Sequence, residues 1–213
     1  MRKYKILSSF LLVILLYVWV TPCFATDSLT ESDSVPAPPA LELSAKGAIL
    51  MDADTGEVLY RQNDLDALYP ASTTKIMTCY LALQYLDVNA SITIPEGINT
   101  GITDGASTAN LKVGEELTVY QLLQCLMIVS ANEAANILAV AVAGSIDNFV
   151  AMMNAKAAEL GCTDTHFVNP DGMPDNDHYT TAYDLYLIGK YAMQNETFRT
   201  IVKTPEYYVE PTN

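Results

Sequence analysis

The spacing of apolar and polar positions divides the chain into segments of different character. Met1-Arg2-Lys3-Tyr4-Lys5 is basic, Ile6 to Val20 is apolar apart from Ser8 and Ser9, and Pro22 breaks the run just before Cys23-Phe24-Ala25. That order predicts a signal peptide cleaved after Ala25, with small residues at the cleavage positions. An uncleaved anchor is the other reading, but the run is shorter than the roughly 20 residues that cross a bilayer. Residues 26–41 are rich in Ser, Pro and acid without apolar periodicity, as expected of a solvated tether. The pattern from 42 to 213 is that of a folded domain.

Two short apolar runs, Gly47 to Asp52 and Glu57 to Arg61, flank Ala53-Asp54-Thr55-Gly56, whose composition suits a tight turn. They predict a β-hairpin. A helix is expected after Pro70, through Ser72 to Tyr85, because Ile76, Met77, Tyr80, Leu81 and Leu83 recur at helical spacing. After a loop from Ile98 to Ala109, Thr118-Val-Tyr-Gln121 reads as a capping box opening a helix to Val129. Glu133 to Ala143 predicts another, stopped by Gly144. Ser145 caps the next, to Leu160 and Gly161, and Thr181 with Asp184 opens one more to about Gln194. The expected organisation is one hairpin followed by an array of helices.

Composition narrows the possible functions. With 11 basic and 25 acidic residues in 213, the net charge is −14, and loss of the leader would make it −17. Such a balance excludes a polyphosphate grip, which needs clustered cations. A hydrophobic share of 50% excludes wholesale disorder. Cys79, Cys125 and Cys162 would remain after cleavage, an odd number that argues against a disulfide framework. Cys79 and Cys125 lie in apolar stretches and read as small core residues. Without a Cys-x-x-Cys or a His/Cys cluster, no metal or other cofactor is expected. Asp175-Asn176-Asp177 lacks the rest of a calcium loop.

Two short motifs carry chemistry. In Ser72-Thr-Thr-Lys75, positions i and i+3 of a helix are neighbours, so the lysine can reach the serine hydroxyl. A serine needs such a base, and a lysine serves only when burial or a nearby cation lowers its pKa. A helix-start serine beside a solvated lysine would give the same string. Ser130-Ala-Asn132 lies 58 positions after Ser72 at a break between helices, where a hydroxyl and a carboxamide could relay a proton and hold an amide. Ser130-Ala-Asn-Glu133 is equally a capping box.

Together the motifs resemble the penicillin-recognising serine enzymes, whose signature is Ser-x-x-Lys, Ser-x-Asn and Lys-Thr-Gly. Further blocks, Ala48 to Tyr60, Tyr69 to Thr78, Ser130 to Ala135, Phe149 to Asn154, Thr165 to Gly172 and His178 to Asp184, look like the D-alanyl-D-alanine carboxypeptidases among the low-molecular-weight penicillin-binding proteins. The resemblance covers about Leu43 to Asn213. It implies an α/β (α+β) fold of the β-lactamase or transpeptidase type, a helical subdomain plus an antiparallel sheet. It also implies an exported enzyme at the outer side of the bacterial cytoplasmic membrane or in the cell wall, acting on peptidoglycan stem peptides that end in D-Ala-D-Ala and acylated by β-lactams. By the same resemblance Ser72 is the nucleophile, Lys75 its base, Ser130 the relay to the leaving amine, and Asn132 a substrate-binding residue; the Ser72 N–H is an oxyanion donor.

His166 and His178 read as loop-structuring residues, His166 bonding near the turn Asn169 to Gly172, since no nucleophile elbow accompanies either. The third motif has one candidate, Lys203-Thr204-Pro205, where proline removes the N–H a strand needs. The expectation is therefore an N-terminal part of the enzyme with an incomplete sheet and without activity by itself. A peptidoglycan- or partner-binding protein and a β-lactamase are the alternatives. Ala131, where class A β-lactamases carry Asp, counts against the last.

Overall fold

The computed structural model describes residues 41, 43–98, 102 and 105–209, and all of these but residue 41 fall in the unit Leu43–Asn213. The expected leader and nearly all of the tether lie outside the described residues. No single described helix is long and apolar enough to cross a membrane.

The hairpin forms as its pattern predicts. Strand β1 (Ala48–Met51) pairs antiparallel with β2 (Val58–Gln62), with a register break between Leu50 and Met51. Asp52 shapes the turn: its Oδ1 accepts from the Asp54 and Thr55 N–H groups and from the Thr55 hydroxyl. Gly56 supplies a φ of +75° that a side chain would resist. Leu50 and Leu59 are both more than half exposed, and β1 rests against a later helix, Ala182–Ala192. A second two-stranded sheet, β3 (Ser91–Thr93) with β4 (Glu116–Thr118), escaped the sequence pattern because three residues per strand cannot establish a period of two.

The helices among the described residues are α1 (Lys75–Tyr85), α2 (Val119–Ile128), α3 (Asn132–Ala143), α4 (Ile146–Glu159), α5 (Ala182–Ala192) and α6 (Glu196–Val202). Their starts follow the caps. Thr118 and Gln121 form the reciprocal box, Ser145 accepts from the Asn148 N–H, and Thr181 accepts from the Asp184 N–H. Gly144 ends α3 in the left-handed conformation. The short α6, capped by Asn195, had no counterpart in the sequence reading. Lys203-Thr204-Pro205 closes α6 instead of lying on a strand, and Lys203 is exposed.

Helix α1 is the hub, touching each of the other five. Its Cys79 and Ala82 enter one core with Leu122, Leu126, Ile137 and Ile201, while Met77 and Leu81 enter another with Phe149, Met153 and Phe167. A helix buried on two sides gains burial energy from both, of order 2 kcal/mol for each large side chain removed from water. Among the described residues, Cys79, Cys125 and Cys162 are buried and free, and burial raises the Cys125 and Cys162 thiols to about 11 and 12, as suits inert core residues.

Candidate active site

The segment entering α1 is a 3-10 turn, Ala71–Thr74, preceded by Pro70 at φ −75°. Ala71 holds a left-handed φ of +49°, a conformation that costs a non-glycine residue about 1 kcal/mol and needs outside support. Support comes from the segment around Gly172. The Tyr69 hydroxyl donates to the Gly172 carbonyl, and the Gly172 Cα lies so close to Ala71 that a Cβ there would sit 2.0 Å from the Ala71 oxygen. Only glycine permits that approach. The turn leaves Ser72 exposed and Lys75 2% exposed one turn further on.

Lys75 ties three parts of the chain together. Its Nζ donates to the Asp171 carbonyl at 2.6 Å and to Asn132 Oδ1 at 2.7 Å, and lies 3.5 Å from Ser72 Oγ. Burial holds its pKa below the usual lysine value, while the carboxylates of Asp171 and Glu133 oppose that fall. The Asp171 carboxyl is itself pushed up by burial; the Met173 N–H and the Lys75 charge pull it back.

Asn132 opens α3, its N–H donating to the Ser107 carbonyl and its Nδ2 lying 3.3 Å from Met173 Sδ. Ser130 sits two residues earlier with a left-handed φ of +58°. Its hydroxyl is buried and makes no hydrogen bond among the described residues. This corrects the capping-box reading of Ser130 and Glu133: the helix N-cap is Ala131, with no side-chain cap. A cap needs an extended backbone at the serine, which Ser130 does not have. Glu133 is turned elsewhere, its Oε1 accepting from the Ala109 and Leu111 N–H groups.

Of the four residues singled out in the sequence, Ser72, Lys75 and Asn132 are thus joined through the lysine, and Ser130 stands at the same helix break as Asn132. Sequence reasoning missed the contribution of Asp171 and Gly172, which it read only as a turn. The turn is real: Asn169 Oδ1 accepts from the Gly172 and Met173 N–H groups. What the sequence did not reveal is that this turn closes over the start of α1, where the Thr78 hydroxyl also donates to the Pro170 carbonyl at 2.5 Å. Nor does His166 bond near that turn. Its Nδ1 meets the Asp177 carbonyl at 2.6 Å, because an antiparallel bridge sets His166 opposite Tyr179. No group of His, Cys, Asp and Glu among the described residues could hold a metal ion.

A buried amine beside an exposed serine hydroxyl, with a carboxamide and a second hydroxyl at an adjacent helix break, is suited to acyl transfer through the serine. Comparison with known proteins points the same way. The family model described as D-alanyl-D-alanine carboxypeptidase matches residues 32–212. D-alanyl-D-alanine carboxypeptidase DacF of Bacillus subtilis is 35% identical over 208 residues, covering 96% of this chain and 52% of that protein. For DacB2 of Mycobacterium tuberculosis the identity is 37% over 187 residues, with 85% and 61% covered. Among solved structures, the Streptomyces K15 DD-transpeptidase superposes with a TM-score of 0.73 at 37% identity, over 77% of this chain and 66% of that one. Penicillin binding protein 6B from Escherichia coli gives 0.76 at 28%, over 81% and 57%. The chain spans between about half and two thirds of the length of these relatives.

Proposed function

The chain belongs to the D-alanyl-D-alanine carboxypeptidase family, and on that footing we propose that Ser72 is the nucleophile of a serine-type D-Ala-D-Ala carboxypeptidase, with Lys75 as its base. The observation that carries the reading is the environment of the Lys75 amine. A neutral amine has two N–H bonds and one lone pair. The Asp171 carbonyl and Asn132 Oδ1, at 2.6 and 2.7 Å, engage the two N–H bonds, which leaves the lone pair for the hydroxyl at 3.5 Å. Burial, the largest influence on this lysine, favours the neutral form that this arrangement requires.

In the proposed reaction Ser72 Oγ attacks the carbonyl of the terminal D-Ala-D-Ala bond of a peptidoglycan stem peptide as its proton passes to Lys75. The Ser72 N–H stabilises the resulting oxyanion, worth on the order of 3 kcal/mol for one well-placed donor. The Ser130 hydroxyl hands a proton to the departing D-Ala nitrogen and is reprotonated from Lys75. Water then cleaves the acyl-serine, Lys75 taking the proton of the attacking water and returning it to the departing Ser72 Oγ. Asn132 holds the substrate amide through the carboxamide face not used by Lys75. β-Lactams would acylate the same serine, and the substrate would place the protein outside the cytoplasmic membrane, where its strongly acidic balance favours solubility.

A second reading, a peptidoglycan-binding protein without turnover, is favoured by one observation. No strand among the described residues carries a Lys-Thr-Gly, and Lys203 closes a helix with its side chain exposed. Labelling with a fluorescent penicillin separates the two. Covalent label on the wild type that is lost in Ser72→Ala supports the enzyme, whereas reversible binding of muropeptide without label supports the second reading.

A further inference from the structure

His178 is one of two histidines in the chain and takes no part in the proposed chemistry, yet it is 1% exposed. Its Nε2 lies 2.8 Å from Oγ1 of Thr74, 104 positions away in sequence. Its Nδ1 lies 3.1 Å from the backbone nitrogen of Val168. The rings of Phe167 and Tyr69 meet it edge-on at 5.6 and 6.2 Å.

A backbone N–H can only donate, so Nδ1 must be the bare, accepting nitrogen. In a neutral imidazole the proton then resides on Nε2. Nε2 is therefore the donor and the Thr74 hydroxyl the acceptor. An imidazolium would set Nδ1–H against the Val168 N–H, donor facing donor. Burial also acts against the charged ring, bringing its pKa down to about 4.

Thr74 is the last residue of the turn that bears Ser72 and directly precedes Lys75. It is fully buried, and the turn begins with the left-handed Ala71, so the turn depends on its neighbours for its shape. The His178 bond grips the far end of the turn, while Gly172 grips the near end.

We infer that His178, neutral and protonated on Nε2, is a positioning residue that fixes the Ser72–Lys75 turn through Thr74, and so acts on the rate of Ser72 acylation more than on ligand docking. The effect on acylation rests on the reading of Ser72 as nucleophile; the tautomer and the bond do not.

The test has two arms on the full-length protein. Nitrogen-15 NMR of the imidazoles should show His178 with a protonated Nε2 and a bare Nδ1 at neutral pH, and Thr74→Val should shift the Nε2 resonance. A protonated Nδ1, or no response to Thr74→Val, overturns the inference. In the second arm, stopped-flow acylation by fluorescent penicillin compares three folded variants. Gln places an amide N–H where Nε2 was and keeps the donation to Thr74; Asn reaches only as far as Nδ1 and loses it. His178→Gln should acylate within about threefold of wild type, and His178→Asn and Thr74→Val about tenfold slower at nearly unchanged pre-covalent affinity, as expected for one hydrogen bond. Equal rates for Gln and Asn overturn the positioning role. If the wild type does not acylate at all, the nucleophile reading falls, and the NMR arm alone decides the bond.

Discussion

Gly172 and Ala71, 101 positions apart in the sequence, are in backbone contact: a Cβ on Gly172 would lie 2.0 Å from the Ala71 carbonyl oxygen. Gly172 also has a φ of +81°. Gly172→Ala therefore meets two penalties, the left-handed backbone at about 1 kcal/mol and a clash with main chain that cannot swing aside. Gly144→Ala is the control, because its φ is +78° but nothing lies within 4 Å of the added atom. Thermal melts should show Gly144→Ala losing about 1 kcal/mol and Gly172→Ala about 3 or more. Penicillin labelling should be lost only in the latter.

Ser130 carries a different strain. A serine at φ +58° whose buried hydroxyl bonds to none of the described residues costs stability on both counts. Ser130→Gly should raise the unfolding free energy by about 1 kcal/mol, after subtracting the added chain entropy of glycine. The same change removes the proposed relay and should slow acylation by roughly 10²-fold or more. Denaturant melts and labelling kinetics moving in opposite directions would identify Ser130 as a site kept for chemistry at the expense of stability. A loss of stability would sink that view.

The pH dependence of acylation should report Lys75. Only the free amine can take the serine proton, so the rate should climb with pH as Lys75 deprotonates. It should level off below the ordinary lysine value of 10.5, because burial lowers the Lys75 pKa. Lys75→Met should be slower by roughly 10²-fold to 10⁴-fold and lack that rise. Rates measured between about pH 6 and about pH 10 decide the point.

His178 should leave its mark on stability in acid. The groups facing it are Asp175, which draws its pKa up, His166, which pushes it down, and the ring of Tyr69; burial outweighs them. Its pKa falls from 6.5 to about 4, so between those values the unfolded chain binds the proton and the folded one does not. The stabilisation is complete above pH 6.5 and fades as the pH drops toward 4. His178→Gln has no such group. Relative to that variant, the wild type should lose up to about 3 kcal/mol over this interval, measured by urea unfolding at each pH.

The parts of the fold that could be read from the sequence were those specified by local chemistry. Thr118, Ser145 and Thr181 act within three residues of themselves, and so their helices start where the pattern put them. Gly56 and Asp52 likewise build the hairpin turn from neighbours. The short strands β3 and β4 hold only by pairing across more than 20 intervening residues, which no window of hydrophobicity records. At the site, Ser72 and Lys75 were visible because helix spacing links them. Ser130 and Glu133 misled because the Ser-x-x-Glu string of a capping box does not reveal the backbone angle at Ser130, which here excludes the cap. Asp171 escaped notice because it binds Lys75 through its carbonyl, a group every residue carries.

The contacts that assemble the site span long stretches of chain: 57 residues from Lys75 to Asn132, 96 to Asp171, 103 from Tyr69 to Gly172 and 104 from Thr74 to His178. Bonds of such reach form late, since the entropy of closing large loops is lost before they give anything in return. Reactivity at Ser72 should therefore be among the last properties to appear during refolding, after the helices have acquired their circular dichroism. A penicillin added at intervals would serve as a clock for completion of the native state.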